Sequence, residues 1–120
     1  MSRGHGSVVS EDLGRVAGSG VGTVWKLEGS EDLNANLVRL PGGGGIGEHV
    51  NGEVDVLVIG VFGSGTVEVE GERCEIGPGR FVFVPKGARR SFEAGPEGVT
   101  YLSVHRRKGP IRIGRGGGEA

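Results

Sequence analysis

The apolar residues of this chain come in short runs, rich in valine and isoleucine, that glycine, proline or an acidic or amide residue soon cuts off. That pattern constrains the fold more than any other feature. A helix needs apolar residues at a 3.6-residue period sustained over ten or so positions, and such stretches are nearly absent. Strands need only short alternating runs bounded by turn residues. The runs are Thr23–Leu27, Leu33–Leu40, Val54–Phe62, Thr66–Glu70, Arg73–Ile76, Arg80–Val84, Arg90–Phe92, Val99–Arg106 and Ile111–Ile113. In Thr66-Val67-Glu68-Val69-Glu70 the valines face one way and the polar residues the other, as a half-buried strand requires. Val54–Phe62 is apolar on both faces, which predicts a central strand covered on each side, with a partner subunit as the second cover. A homodimer is expected on that ground.

The punctuation is glycine, 27 of 120 residues, several times the usual share of roughly 7%. With five prolines added, the total reaches the range where low-complexity chains begin. Other totals argue for a folded chain: 35% hydrophobic, 24% charged and a formal net charge of −1. There is no collagen-like triplet period and no apolar stretch near the roughly 20 residues that span a bilayer. The turns have matching chemistry. Val69-Glu70-Gly71-Glu72-Arg73 reads as a tight hairpin, Gly63-Ser64-Gly65 as a turn or bulge, and Gly77-Pro78-Gly79 and Pro85-Lys86-Gly87 as turns that begin and end a strand. Eight or nine short strands in about 90 residues predict an all-β sandwich or barrel, a jelly roll among them. Residues 1–22 are expected to be loosely structured, 23–113 to form the barrel, and 114–120 to be a flexible glycine-rich tail.

Met1 to Gly6 is followed by acidic and small residues rather than the apolar core of a signal peptide. The lone Cys74 suits a reducing compartment, so a cytoplasmic location is expected.

Two segments carry a family resemblance. Gly43-x5-His49-x-Asn51-x3-Asp55-x7-Gly63 is similar to the first cupin motif, a glycine followed by His-x-His, a Glu and a further glycine. Gly79-x5-Pro85-x-Gly87-x2-Arg90 resembles the second in its Gly, Pro and Gly spacing. The resemblance covers about residues 24–113 and implies a double-stranded β-helix, a small jelly-roll barrel with its functional site inside the mouth. In that family the histidines and glutamate of the first motif, with a histidine of the second, hold a divalent metal.

The departures bear on that site. His49 keeps the first histidine position, Asn51 replaces the second, Asp55 stands one residue out from the usual acidic spacing, and Arg90 replaces the last histidine. A catalytic metal commonly takes three imidazole or carboxylate ligands. His49 and Asp55 supply two, and the amide oxygen of Asn51 is a weak third. Arg90 stays protonated and only donates, so beside a ligand it repels a cation. The coulombic term between unit charges about 4 Å apart is on the order of 4 kcal/mol at an effective dielectric near 20.

On one reading Arg90 stands in for the metal, its guanidinium paired with Asp55 or Glu53. If the segment stays extended, residues 49, 51, 53 and 55 share a face. On the other, Arg90 points outward with Arg89 and His49 is a hydrogen-bonded barrel histidine. The alternation of Val99, Tyr101, Ser103 and His105 sets His105 on a strand beside the pocket, so His49, Asp55 and His105 form an alternative metal set.

Cys74 reads as packing, and Trp25 and Tyr101 as core aromatics with a pocket role open. His5 lies in the loose N-terminal segment. His105-Arg106-Arg107-Lys108, with Arg112 and Arg115, does not read as a nucleic-acid surface, because aromatics are few and the overall balance is slightly acidic. Gly42–Gly45 lacks the Lys-Ser/Thr and following helix of a phosphate loop and reads as the turn into the His49 strand.

The leading expectation is a small single-domain protein, with neither nucleic acid nor a membrane as partner, that binds a small ligand through His49, Asn51, Asp55, Arg90 and His105 without a catalytic metal. A carboxylate or phosphate makes best use of the arginine. The alternatives are a metal-dependent oxygenase or isomerase holding Fe, Mn, Ni or Zn on His49, Asp55 and His105, and a partner module whose barrel mouth is packed shut.

Overall fold

In a computed structural model, residues 7–108 are described. His5, the Ile111–Ile113 run and the 114–120 tail lie outside them. The short runs fold as strands almost where alternation places them: β1 (Gly22–Lys26), β2 (Leu33–Leu40), β3 (Gly45–Val50), β4 (Val56–Val69), β5 (Glu72–Ile76), β6 (Phe81–Val84) and β7 (Arg89–Arg106). One short helix precedes them, α1 (Leu13–Ala17), capped by Asp12, whose Oδ1 accepts from Gly14 N at 3.0 Å. This corrects the expectation of a loose N-terminal segment in part. Five residues are too few to show a helical period, but the Asp12 cap closes the turn and Ala17 is buried. Among the described residues no helix is long and apolar enough to cross a membrane.

All seven strands join one antiparallel sheet in which β1, β2, β7, β4 and β5 follow in order, while β3 also pairs with β7 and β6 with β4. Of the turn or bulge expected at Gly63-Ser64-Gly65 the structure has the bulge, a register shift between Gly63 and Gly65 within one continuous strand. Gly63-Ser64-Gly65 and Gly95 to Gly98 bend strands instead of ending them, so four expected runs merge into the long strands β4 and β7. Each long strand changes wall at its bend. The first half of β7 pairs with β3 and the end of β4, and its second half pairs with β2 and the start of β4.

Phe92 and Tyr101 prove the folding-over. Nine residues of extended strand span about 30 Å, yet their rings stack with centroids 5.0 Å apart and planes 12° apart. The two halves of β7 therefore face each other across the barrel. At the corner only glycine fits: Gly63 has φ of 71°, and a Cβ there would overlap the Gly98 carbonyl. The β4–β5 hairpin turns on Glu70 (φ 49°) and Gly71 (φ 83°), the pair of positive values a two-residue turn of this twist requires.

The core lies between the walls: Val54, Val56, Val58 and Val67 from β4 and its approach, Val82 and Val84 from β6, Phe92, Ala94, Val99 and Tyr101 from β7. The result is the expected all-β jelly-roll barrel. Cys74 is half-buried against this core, as packing requires.

Candidate functional site

The Phe92–Tyr101 stack sets a level inside the barrel, and alternation fixes what lies above it. Two residues further from the bend, β7 presents Arg90 on one wall and Ser103 on the other; their strand neighbours are His49, directly opposite Arg90, and Asn36, opposite Ser103. One layer further out His105 faces Asn34. Nearer the bend lie Val38, Leu40 and Ile46. These residues line a cavity of about 960 Å³, completed by Val56, Val58 and Val84 on the β4–β6 side, with Glu48, Arg107 and Lys108 around it. The barrel interior is therefore open, which removes the reading of a mouth packed shut.

Arg90 is 2% exposed. It faces inward because alternation separates it from Arg89, which lies outside against Glu48 at 3.9 Å with both side chains exposed. The outward reading of Arg90 is thus corrected. Its Nε donates to the Ala88 carbonyl at 3.1 Å and one terminal nitrogen to the Pro85 carbonyl at 3.3 Å. Among the described residues no carboxylate comes within 4.0 Å of it. Burial lowers the guanidinium pKa, since water no longer solvates the charge. Arginine starts so high that the cation persists.

The two pocket histidines are held alike. His49 Nδ1 lies 2.9 Å from the Gly47 carbonyl and His105 Nδ1 lies 2.8 Å from the Arg106 carbonyl. A carbonyl only accepts, so in each ring Nδ1 carries the hydrogen. His105 is 6% exposed.

Asn51 and Asp55 do not join them. The chain leaves β3 at Val50 and turns, so the shared face expected for residues 49 to 55 does not form. Asn51 Oδ1 accepts from Glu53 N at 2.9 Å and Val54 N at 3.3 Å, a side-chain-closed turn that competes with continued strand. Asn51 is fully buried, its carbonyl accepts from Gly87 N at 2.7 Å, and its Nδ2 has no partner among the described residues. Asp55 is exposed and its Oδ1 accepts from Lys86 N at 2.9 Å. Both residues brace the Pro85–Gly87 turn, and neither lines the cavity. The expected pairing of Arg90 with Asp55 or Glu53 is absent as well; the Glu53 carbonyl instead accepts from Arg106 at 3.1 Å.

The residues present do not fit the family's divalent metal. His49 and His105 line the pocket, the Glu48 carboxylate at its edge is exposed and paired with Arg89, and a fixed cation stands opposite His49. Among the described residues no three His, Cys, Asp or Glu side chains gather as a metal site. The alternative set of His49, Asp55 and His105 is not brought together, because Asp55 points to its turn.

Sequence reasoning missed Asn34 and Asn36, and placed Ser103 on the pocket face without giving it a role. The signal lay in parity: Asn34 and Asn36 share a face with Val38 and Leu40, and polar groups on a core-facing parity mark a lined cavity. Tyr101 lines the pocket, while Trp25 sits half-buried on the edge strand β1.

Comparison with known proteins agrees with this architecture. The sequence profile of the Cupin domain family matches residues 36–105. A search of curated proteins finds no match. Among solved structures, the TT1209 protein of Thermus thermophilus superposes with a TM-score of 0.71 at 24% identity, over 83% of this chain and 98% of that one. KdgF from Halomonas sp. gives 0.64 at 22% identity, over 74% and 78% of the two chains. The DMSP lyase DddQ from Ruegeria pomeroyi gives 0.60 at 24% identity, over 65% of this chain and 40% of that longer one. At such identities the likeness is one of fold. With the profile spanning more than half the chain, and the two motifs standing at the corners and mouth of the barrel, the chain belongs to the cupin domain family.

Proposed function

We propose that this cupin-domain protein binds a small anionic ligand in its barrel pocket, with Arg90 as the anchor. One observation carries the reading: a guanidinium 2% exposed on the cavity wall, hydrogen-bonded among the described residues to two backbone carbonyls and to no carboxylate. A buried charge without a counter-ion costs several kcal/mol, and an anion in the cavity offsets that cost. Arginine has five N–H donors, of which these bonds use two, leaving a fork for a carboxylate or phosphate. Asn36 and Ser103 stand in the same layer to hydrogen-bond the bound group. The role is recognition, and no bond-making step is assigned to the pocket.

The test is calorimetric titration of the full chain with benzoate and with inorganic phosphate. Binding of either anion that falls at least about 10-fold in Arg90→Met supports the reading, since hydrogen bonds to charged groups are worth about 1.5–3 kcal/mol. Arg90→Lys keeps the charge but loses the fork and is expected to fall between. A stoichiometric metal in protein purified without chelators, lost in His49→Ala, overturns it.

The same reading includes a homodimer. Its support is the outer face of the sheet, where Phe81 and Phe83 on the edge strand β6 are 65% and 53% exposed beside half-buried Leu57 and Ile59.

A further inference from the structure

The cavity is not uniformly polar: Val56, Val58 and Val84 make its β4–β6 side apolar at every level, and on the other two walls polarity follows the layers. Along the β2–β7 pair, moving toward the bend, the facing residues are Asn34 with His105, Asn36 with Ser103, Val38 with Tyr101 and Leu40 with Val99. Along β3–β7 the same order holds: His49 with Arg90, then Ile46 with Phe92. Both walls pass from polar to apolar in the same direction, so the floor is apolar and the cation stands one layer above it. The cavity, about 960 Å³, has room for more than a bare inorganic anion.

We infer that the ligand is a monocarboxylate with an apolar body, its hydrocarbon end on the Val38–Leu40–Ile46–Phe92–Tyr101 floor and its carboxylate on Arg90. The inference rests on the anion-binding reading and narrows it. A bare anion would leave that floor facing water, whereas a hydrocarbon body removes apolar surface from it. The single charge follows from the layer: among the described residues Arg90 is the one fixed cation there, while Arg107 and Lys108, which also line the cavity, follow His105 in the chain beyond that layer, Arg107 donating to the Ser30 carbonyl at 3.0 Å. Its neighbours there, Asn36 and Ser103, carry an amide and a hydroxyl whose hydrogens a carboxylate's oxygens accept. A dianionic phosphate ester would bury a second charge against neutral groups, at a cost the layer does not offset.

Titration of the full chain with acetate, butyrate, phenylacetate, phenylacetamide and inorganic phosphate tests this. The expected order is phenylacetate tightest, then butyrate, then acetate. Each buried methylene is expected to tighten binding about four-fold. Phenylacetamide, which keeps the body and loses the charge, is expected to bind at least about 10-fold more weakly than phenylacetate. Equal affinity for acetate and phenylacetate, or phosphate tighter than every carboxylate, overturns the inference and leaves the anion reading standing. Phenylacetamide as tight as phenylacetate, or no anion bound at all, overturns both. Ile46→Thr, checked for folding by circular dichroism, is expected to shrink the gain of phenylacetate over acetate, and an undiminished gain overturns the placement of the body on the floor.

Discussion

Tyr101 is the chain's single tyrosine and is 3% exposed, so its hydroxyl ionises where a phenolate would have little water. Burial pushes its pKa well above the ordinary tyrosine range. The folded protein then keeps this proton at pH values where the unfolded chain has lost it. Stability is unaffected by the group below about pH 10 and falls as pH rises above that, by up to about 1.4 kcal/mol per pH unit. Urea midpoints of wild type and Tyr101→Phe between pH 8 and 11 check this: the two curves are expected to run parallel at the low end and to converge or cross at the high end as only the wild type loses stability. A constant gap across the range sinks the prediction. Arg90 obeys the same physics with the opposite charge. Which way it points was not legible in the sequence, because Arg89 and Arg90 are chemically identical neighbours and alternation says only that they differ. The turn at Asn51 was equally hidden, since a strand register continued through residues 51–55 and an amide closing its own turn use the same residues.

At the scale of elements, most strands could be read directly, because alternation with a buried face is a period-two signal that survives any bend. Leu33–Leu40 is found at its expected bounds. What the sequence left open was whether a glycine between runs ends a strand or bends it. Gly63 and Gly98 sit at a corner where strands change walls, so each joins two runs into one element instead of separating them. Gly79 resembles them in the sequence yet occupies an ordinary turn, with φ of 82° and open space where a Cβ would stand. The two kinds separate by mutation. Gly79→Ala forces a Cβ into the left-handed backbone and nothing more, which costs about 1 kcal/mol. Gly63→Ala adds to that strain the displacement of the Gly98 carbonyl, and is expected to cost at least about 3 kcal/mol. Denaturant midpoints measure both, and equal losses would show that the corner does not hold the walls together.

For the molecule as a whole, the same two-sidedness of β4 that predicts a partner subunit is realised in the sheet. Its inward valines fill the barrel, while outward Leu57 lies between Phe83 and Val104, and outward Ile59 between Phe81 and Leu102. These rows form an apolar strip ending at β6, a four-residue edge that among the described residues pairs only with β4. An edge carrying two exposed phenylalanines in place of charge lacks the usual protection against further pairing. A second copy related by a two-fold axis would meet the strip with the same strip, and a net charge of −1 per chain gives little repulsion to oppose it. Sedimentation velocity of the full chain is expected to show a dimer, and the double variant Phe81→Ser/Phe83→Ser a monomer with an unchanged circular dichroism spectrum. Dimerisation makes the melting temperature of the wild type rise with protein concentration, whereas that of the variant stays constant. Phe81 and Phe83 lie on the face opposite the cavity, so the variant is expected to bind phenylacetate within about two-fold of wild type. A wild type that sediments as a monomer at every concentration ends the dimer proposal while leaving the pocket untouched. A variant that becomes monomeric and also loses the carboxylate would instead show that the second copy holds the barrel mouth in its binding shape.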